Sequence, residues 1–216
     1  IIPGMAAELI LGAMNFGQRT SEAEALRILE CAVEAGVRSI DTANLYTDGK
    51  SESIVGRYLA ASSVACQVAT KVGLARLKGR VEGLSRAALL DACARSRERL
   101  GRDCIDLYYL HAPDPATPID ETLETLATLR QQGAIADWGV SNFSSWQVLE
   151  LIQRAPQFDL PAPHASQVIY NLLVRQLDIE HLAFARRYGV RVITYNPLAG
   201  GLLAGGRRFD DTPAAG

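Results

Sequence analysis

The sequence lacks the features that mark several broad classes of protein. No apolar run is long enough to cross a bilayer, and no basic and apolar leader of the secretory type opens the chain. Basic residues do not cluster and the formal net charge is only -2, so the chain has no electrostatic footprint for nucleic acid. We therefore expect a protein that binds neither membranes nor nucleic acid.

Cysteine and histidine are scarce, with four and three residues respectively. No CxxC pair occurs, and no histidine lies near a cysteine at the spacing typical of metal ligands. Cys31, Cys66, Cys93 and Cys104 all lie in apolar stretches. This predicts free thiols in the core, no metal site, and a reducing, cytoplasmic location.

The residues that are present predict one domain with alternating strands and helices. Apolar residues make up 48% of the 216-residue chain, enough for one sizeable core. Short apolar runs alternate with helical patterns at roughly the thirty-residue period of a βα unit. We predict seven strands, at 8–12, 37–40, 66–70, 105–110, 136–140, 165–170 and 190–195. No change in composition divides the chain, so the domain is expected to span residues 1–216.

The strands point to a barrel. Their apolar, non-alternating composition is typical of a parallel sheet that is buried on both faces. A Rossmann sheet would need GxGxxG after the first strand, and GAMNFG at 12–17 does not match it. Polar residues follow nearly every strand, as at the active-site face of a (β/α)8 TIM barrel. We predict that α/β fold, a loop at 72–83 and a helix at 177–188.

Candidate catalytic residues lie at the ends of three predicted strands. Asp41 and Tyr46 follow the second strand, Lys71 ends the third, and His111 ends the fourth. In a barrel these strand ends converge on one mouth. A Lys71 cation near Tyr46 would favour the phenolate and so ease proton donation to a developing alkoxide. Asp41 would keep Lys71 charged and fixed, and His111 would orient a carbonyl oxygen.

Each of these residues also has a simpler structural interpretation. Asp41 could cap a turn, Tyr46 could pack on the surface, Lys71 could extend to solvent, and His111 could be a buried histidine bonded to backbone. The coincidence of all four at strand ends favours catalysis. A glycine-rich stretch at 199–206 could be a flexible linker, but it also lets backbone N–H groups approach an anion closely.

Together these motifs resemble the aldo-keto reductase family. The resemblance rests on GAMNFG at 12–17, IDTA at 40–43 with Tyr46, ATK at 69–71, DLYYLH at 106–111, GVSNF at 139–143 and YNPLAGGLL at 195–203. A closer likeness to the aflatoxin-aldehyde and succinic-semialdehyde reductase branch rests on HAPD at 111–114, TP at 117–118 and residues 196–203.

The resemblance implies reduction of a small aldehyde or ketone to the alcohol, with a hydride from NADPH and a proton from Tyr46. It implies that Ser141, Asn142 and Gln167 bind the nicotinamide carboxamide and that Tyr195 stacks on the ring. Residues 196–206 would wrap the pyrophosphate. The remaining predicted cofactor contacts are Met14, Asp41, Asn196, Pro197, Leu198, Gly200, Leu202 and Gly206.

The sequence departs from the family's pattern at its end, where the predicted seventh strand leads into residues 196–216. We expect a barrel that lacks its eighth strand and C-terminal helices, which in the family hold the 2′-phosphate and shape the substrate pocket. The choice between NADPH and NADH and the substrate therefore stay open. Unpaired edge strands would make the chain unstable or prone to associate, for example as a homodimer. Met5 resembles a natural start, preceded by an extension at 1–4.

Three alternatives to a working reductase stay open. The chain could be a regulatory or scaffolding subunit that binds the cofactor with little turnover. It could be an inactive fragment. It could also be a Schiff-base aldolase with Lys71 as the nucleophile, a chemistry that is common on barrels.

Overall fold

A computed structural model of the chain describes residues 8–77 and 79–205. The strands are β1 (Ile10–Gly12), β2 (Ser39–Asp41), β3 (Gln67–Val72), β4 (Arg76–Leu77), β5 (Arg80–Val81), β6 (Ile105–Leu110), β7 (Ile135–Ser141), β8 (Ala165–Ile169) and β9 (Arg191–Tyr195). The helices are α1 (Glu22–Glu34), α2 (Lys50–Ala61), α3 (Arg86–Leu100), α4 (Ile119–Gln131), α5 (Ser145–Arg154) and α6 (His181–Tyr188). Short 3-10 helices occupy Tyr46–Gly49, Ala155–Phe158, Gln176–Asp178 and Ala199–Ala204.

The main sheet has seven parallel strands in the order β1-β2-β3-β6-β7-β8-β9. Helices alternate with these strands, so the predicted TIM-barrel class is confirmed as a curled, partial barrel without an eighth strand among the described residues. A salt bridge between Glu8 and Arg191 links the chain just before β1 to the first residue of β9. The predicted instability or association of the chain stays a prediction.

Helix boundaries follow the capping residues of the sequence. The Ser85 hydroxyl caps α3 by accepting from the backbone N–H of Ala88, and Gly101 ends the helix with a φ of 62°. Left-handed backbone of this kind suits glycine, which has no Cβ to clash. Ser144 and Gln147 form a capping box at the start of α5. In the described ranges, no helix is both long enough and apolar enough to span a bilayer.

The core lies between the sheet and the helices that cover it. Leu29 of α1, Leu89 of α3 and Leu123 of α4 are fully buried in one apolar cluster. Tyr108 and Trp138, on the neighbouring strands β6 and β7, are fully buried with them. Burying one such leucine side chain stabilises the fold by about 1.5–3 kcal/mol. This packing fixes the strand ends that carry the polar side chains.

Three local predictions are wrong. The segment predicted as a loop at 72–83 contains the antiparallel hairpin β4–β5. Gly79 lies at its turn with a φ of 80°, which lets the chain reverse without strain. The last helix begins at His181, after a separate 3-10 turn in which the Asp178 carboxylate binds Tyr170 and Arg175. Cys31 is exposed on α1 and does not lie in the core.

A substitution at Gly139 can test how tightly the sheet is packed. A Cβ at this position in β7 would lie 2.7 Å from the Tyr109 ring and 2.9 Å from the carbonyl oxygen of Ala165. We expect Gly139→Ala to lower the free energy of unfolding by about 1–3 kcal/mol in urea titrations, because neither neighbour can easily move. Gly12→Ala in β1 is the matched control, since no atom lies within 4 Å of its added Cβ. Equal losses in the two variants would contradict the packing argument.

Candidate active site

The candidate site lies where parallel strands end at one edge of the sheet. Asp41 is the last residue of β2, Lys71 lies near the end of β3, and His111 directly follows β6. Tyr46 begins the 3-10 turn that connects β2 to α2. The structure brings all four predicted catalytic side chains into one contiguous group.

Lys71 is the centre of this group. Its side chain is completely buried, and its ammonium group donates to the Asp41 carboxylate and, over 2.7 Å, to the carbonyl oxygen of Thr42. A third hydrogen bond of 3.2 Å reaches the Tyr46 hydroxyl. All three ammonium donors are therefore used, and a positive charge is held against the phenol oxygen.

Asp41 is held in turn by a residue from the far side of the sheet. Its second carboxylate oxygen accepts a hydrogen bond of 2.8 Å from the side-chain amide of Gln167 on β8. Both residues are buried. Sequence reasoning assigned Gln167 to the nicotinamide and missed its bond to Asp41, because residues that are far apart in sequence give no local signal of such a contact.

His111 lies beside Tyr46 with its ring edge-on, at a centroid distance of 5.9 Å and an interplanar angle of 81°. Burial, and to a smaller extent the Lys71 cation, lower the pKa of His111 to about 3. The ring is therefore neutral near pH 7. Its buried Nδ1 has no hydrogen-bond partner within the described part of the chain.

Asn142 joins the ends of three strands. Its side-chain nitrogen donates to the carbonyl oxygen of His111 over 2.9 Å and to the Ser141 hydroxyl over 3.1 Å. Its side-chain oxygen accepts from the Tyr195 hydroxyl over 2.9 Å. These bonds use both donors and one lone pair, which leaves one acceptor position on the amide for a ligand.

The segment after β9 presents its backbone to solvent. Gly200 and Gly201 adopt φ values of 67° and 95°, and no heavy atom lies within 4 Å of a Cβ built on either residue. The Asn196 side chain accepts from the backbone N–H of Gly200 over 2.6 Å and so shapes the turn. Open backbone of this kind can approach an anion closely.

The other predicted cofactor residues are mostly exposed at this end of the molecule. Met14, in the turn after β1, is 58% exposed, and Tyr195 is 36% exposed. Gly206 lies outside the described residues. The roles of all these residues in cofactor binding stay predictions. Within the described ranges, no group of three or more His, Cys, Asp or Glu residues could hold a metal ion.

Residues 8–215 match the Aldo/keto reductase family along almost the whole chain. The chain belongs to the aldo/keto reductase family. Aflatoxin B1 aldehyde reductase member 2 of Rattus norvegicus is 37% identical over 205 residues, which cover 94% of this chain and 55% of that protein. Aldo-keto reductase family 7 member A3 of Homo sapiens is 34% identical over 203 residues, covering 94% and 61%. The predicted family and its aflatoxin-aldehyde reductase branch are confirmed.

A relative that is named as a channel subunit, and not as a reductase, also matches the chain. The probable voltage-gated potassium channel subunit beta of Arabidopsis thaliana is 32% identical over 196 residues, which cover 89% of this chain and 60% of that protein. Across these three relatives, the chain spans between 55% and 61% of their length.

The environment of His111 predicts that the stability of the folded chain depends on pH. The pKa of about 3 in the folded chain lies below the ordinary value of 6.5, so the unfolded chain binds more protons between the two. This group therefore lowers stability progressively as the pH falls from about 6.5 towards 3.

The protonation of His111 can be followed by heteronuclear NMR of its imidazole. We expect a neutral ring in the folded chain at about pH 5, where an ordinary histidine is charged. The urea-unfolded chain is the control, and its histidine signals should titrate near 6.5. A charged His111 in the folded chain at this pH would contradict the assigned environment.

Proposed function

We propose that this chain carries the catalytic centre of an NADPH-dependent reductase that converts an aldehyde or ketone to the alcohol. The observation that carries the proposal is the hydrogen bond between Lys71 and Tyr46, 3.2 Å long, with Asp41 bound to the same ammonium group. A phenol held against a buried cation is suited to donate a proton and remain as the phenolate.

The residues present fit a nicotinamide dinucleotide in three respects. Open glycine backbone at Gly200 and Gly201 offers room for the pyrophosphate. Asn142 keeps a free acceptor position for a carboxamide, beside Ser141. The predicted contacts Gln167 and Tyr195 lie at the same mouth. When bound, NADPH supplies the hydride that reduces the carbonyl carbon. The preference for NADPH over NADH comes from the family resemblance.

The protein side chains would handle the proton. Tyr46 would donate its hydroxyl proton to the carbonyl oxygen as that oxygen gains negative charge, and Lys71 would stabilise the phenolate that remains. The bond from Gln167 to Asp41 would hold the carboxylate that keeps Lys71 in place. Neutral His111, whose ring lies edge-on to Tyr46, would orient the carbonyl group beside the Tyr46 hydroxyl.

The same contacts speak against an aldolase. A Schiff-base lysine needs a free lone pair on its nitrogen with which to attack a carbonyl carbon. The Lys71 nitrogen instead donates to a carboxylate, a carbonyl oxygen and a phenol, so its three hydrogens are all engaged. These contacts suit the reductase role, in which Lys71 donates a hydrogen bond to Tyr46.

A second candidate function is cofactor binding with little turnover, as in a regulatory subunit. The potassium channel subunit beta from Arabidopsis thaliana supports this reading, because its match covers 89% of the chain. We propose aldehydes as the substrates of the reductase, as the names of the aflatoxin B1 aldehyde reductases suggest. The two functions differ in turnover, so a single assay separates them.

The test is a fluorescence titration of the purified chain with NADPH, followed by NADPH consumption with 4-nitrobenzaldehyde. We expect binding and aldehyde-dependent consumption. Tyr46→Phe should lower turnover by about 100-fold or more while NADPH binding changes less than about twofold, because only proton donation is lost. Tyr188→Phe, at a 48% exposed tyrosine on α6, is the matched control and should keep full turnover.

The outcomes separate the candidate functions. Tight NADPH binding with no aldehyde-dependent consumption would favour the regulatory subunit. Full turnover in Tyr46→Phe would exclude Tyr46 as the acid. Failure of the chain to bind NADPH would overturn the proposal for this chain.

A further inference from the structure

Two buried polar residues follow the turn that carries Tyr46. Ser51 and Glu52 lie in the first turn of α2, directly after the 3-10 turn Tyr46–Gly49, and both are completely buried. A glutamate is almost never fully buried unless its charge is paired. The positions of their partners show what this burial achieves.

Ser51 connects α2 to the strand that carries Asp41. The Ser51 hydroxyl donates to the carbonyl oxygen of Ala13 over 2.8 Å and lies 2.8 Å from the Thr42 hydroxyl. Since Ser51 has one hydroxyl hydrogen, Thr42 is the donor in the second bond. Thr42 directly follows Asp41, and its carbonyl oxygen also accepts from Lys71.

Glu52 connects α2 to the strand that carries Lys71. One carboxylate oxygen accepts from the Thr70 hydroxyl over 2.5 Å, and the other accepts from the Arg99 guanidinium over 2.6 Å. Thr70 directly precedes Lys71 on β3, so the two side chains point to opposite faces of the sheet. The carboxylate is thus bound behind the strand that presents the lysine.

The 3-10 turn just before Ser51 and Glu52 has an unfavourable backbone. Thr47 and Asp48 have positive φ values of 50° and 54°, a region that residues with a Cβ rarely occupy. Such a conformation persists only where the surrounding structure holds it. The Arg99 side chain lies against the end of the turn, since a Cβ on Gly49 would be 2.8 Å from its Cδ and Nε atoms.

We propose that Ser51 and Glu52 are positioning residues, which hold Tyr46 at the correct distance from Lys71 by docking the Tyr46 turn on Thr42 and Thr70. Each threonine is the immediate neighbour of a residue that binds the lysine ammonium or carries it. The proposal rests on the reductase function proposed above. Since small displacements of reacting groups are costly, release of one anchor should slow the proton-transfer step more than it weakens cofactor binding.

Thr70→Val tests the anchor without leaving a buried charge unpaired, because Arg99 still neutralises Glu52. We expect the single-turnover rate with NADPH and 4-nitrobenzaldehyde to fall by about tenfold or more, with NADPH affinity changed less than about twofold. The solvent deuterium isotope effect should rise, because proton donation by Tyr46 becomes more limiting. Thr70→Ser keeps the hydroxyl and should restore most of the rate.

Thr122→Val is the matched control. Thr122 is also a buried threonine, and its hydroxyl donates over 3.1 Å to the carbonyl oxygen of Leu84. It should lose stability without a change in isotope effect. Equal changes in rate and isotope effect for Thr70→Val and Thr122→Val, or no rescue by Thr70→Ser, would overturn the positioning role.

A measurement that is independent of turnover separates this proposal from the reductase function. In tyrosine-labelled protein, Thr70→Val should shift or broaden the NMR signal of the Tyr46 ring carbon that bears the hydroxyl, and Thr122→Val should leave it unchanged. A wild-type chain without turnover would count against the reductase function alone. An unchanged Tyr46 signal in folded Thr70→Val would count against the positioning role alone.

Discussion

The burial of the Lys71 ammonium group is the constraint on which the candidate site depends. A charge taken out of water is costly unless it is paired and fully hydrogen-bonded. Asp41 supplies the opposite charge, and Thr42 and Tyr46 accept the other two hydrogen bonds of the ammonium group. Each of these groups must keep its position for the lysine to stay buried. Gln167 therefore has to hold Asp41, and the turn Tyr46–Gly49 has to hold Tyr46. The need to pair one buried ammonium group therefore constrains the ends of several strands.

The sheet and its connections meet this requirement in different ways. The parallel pairing of β2, β3 and β6 brings Asp41, Lys71 and His111 to one edge of the sheet. The connecting turns need further support, because they have no ladder of hydrogen bonds. The buried polar contacts of Ser51 and Glu52 support the turn before α2. At the mouth, the Asn142 amide gives this support by binding the His111 carbonyl and Tyr195. Loops that carry site residues are thus tied to the rigid scaffold.

Much of the fold was predictable because its signals are local. Serine caps and a terminal glycine mark α3 within a residue, since capping satisfies backbone groups of the same turn. Each wrong prediction has its own physical cause. Asp178 binds side chains nearby and so delays the last helix to His181, and Gly79 permits a hairpin where a loop was expected. Cys31 faces solvent because helical periodicity, and not the apolar stretch around it, decides which side is buried.

The sequence by itself determined the alternation of strands and helices, the family, and the four candidate catalytic residues at the ends of strands. These follow from short-range spacing, and parallel strands necessarily bring such ends together. Only the tertiary structure decided that Gln167 binds Asp41, that His111 is buried and neutral, and that Glu52 binds Thr70. These properties depend on contacts between distant residues and on the exclusion of water around them. No local pattern of residue types encodes them, because the packing of whole elements sets which side chains meet.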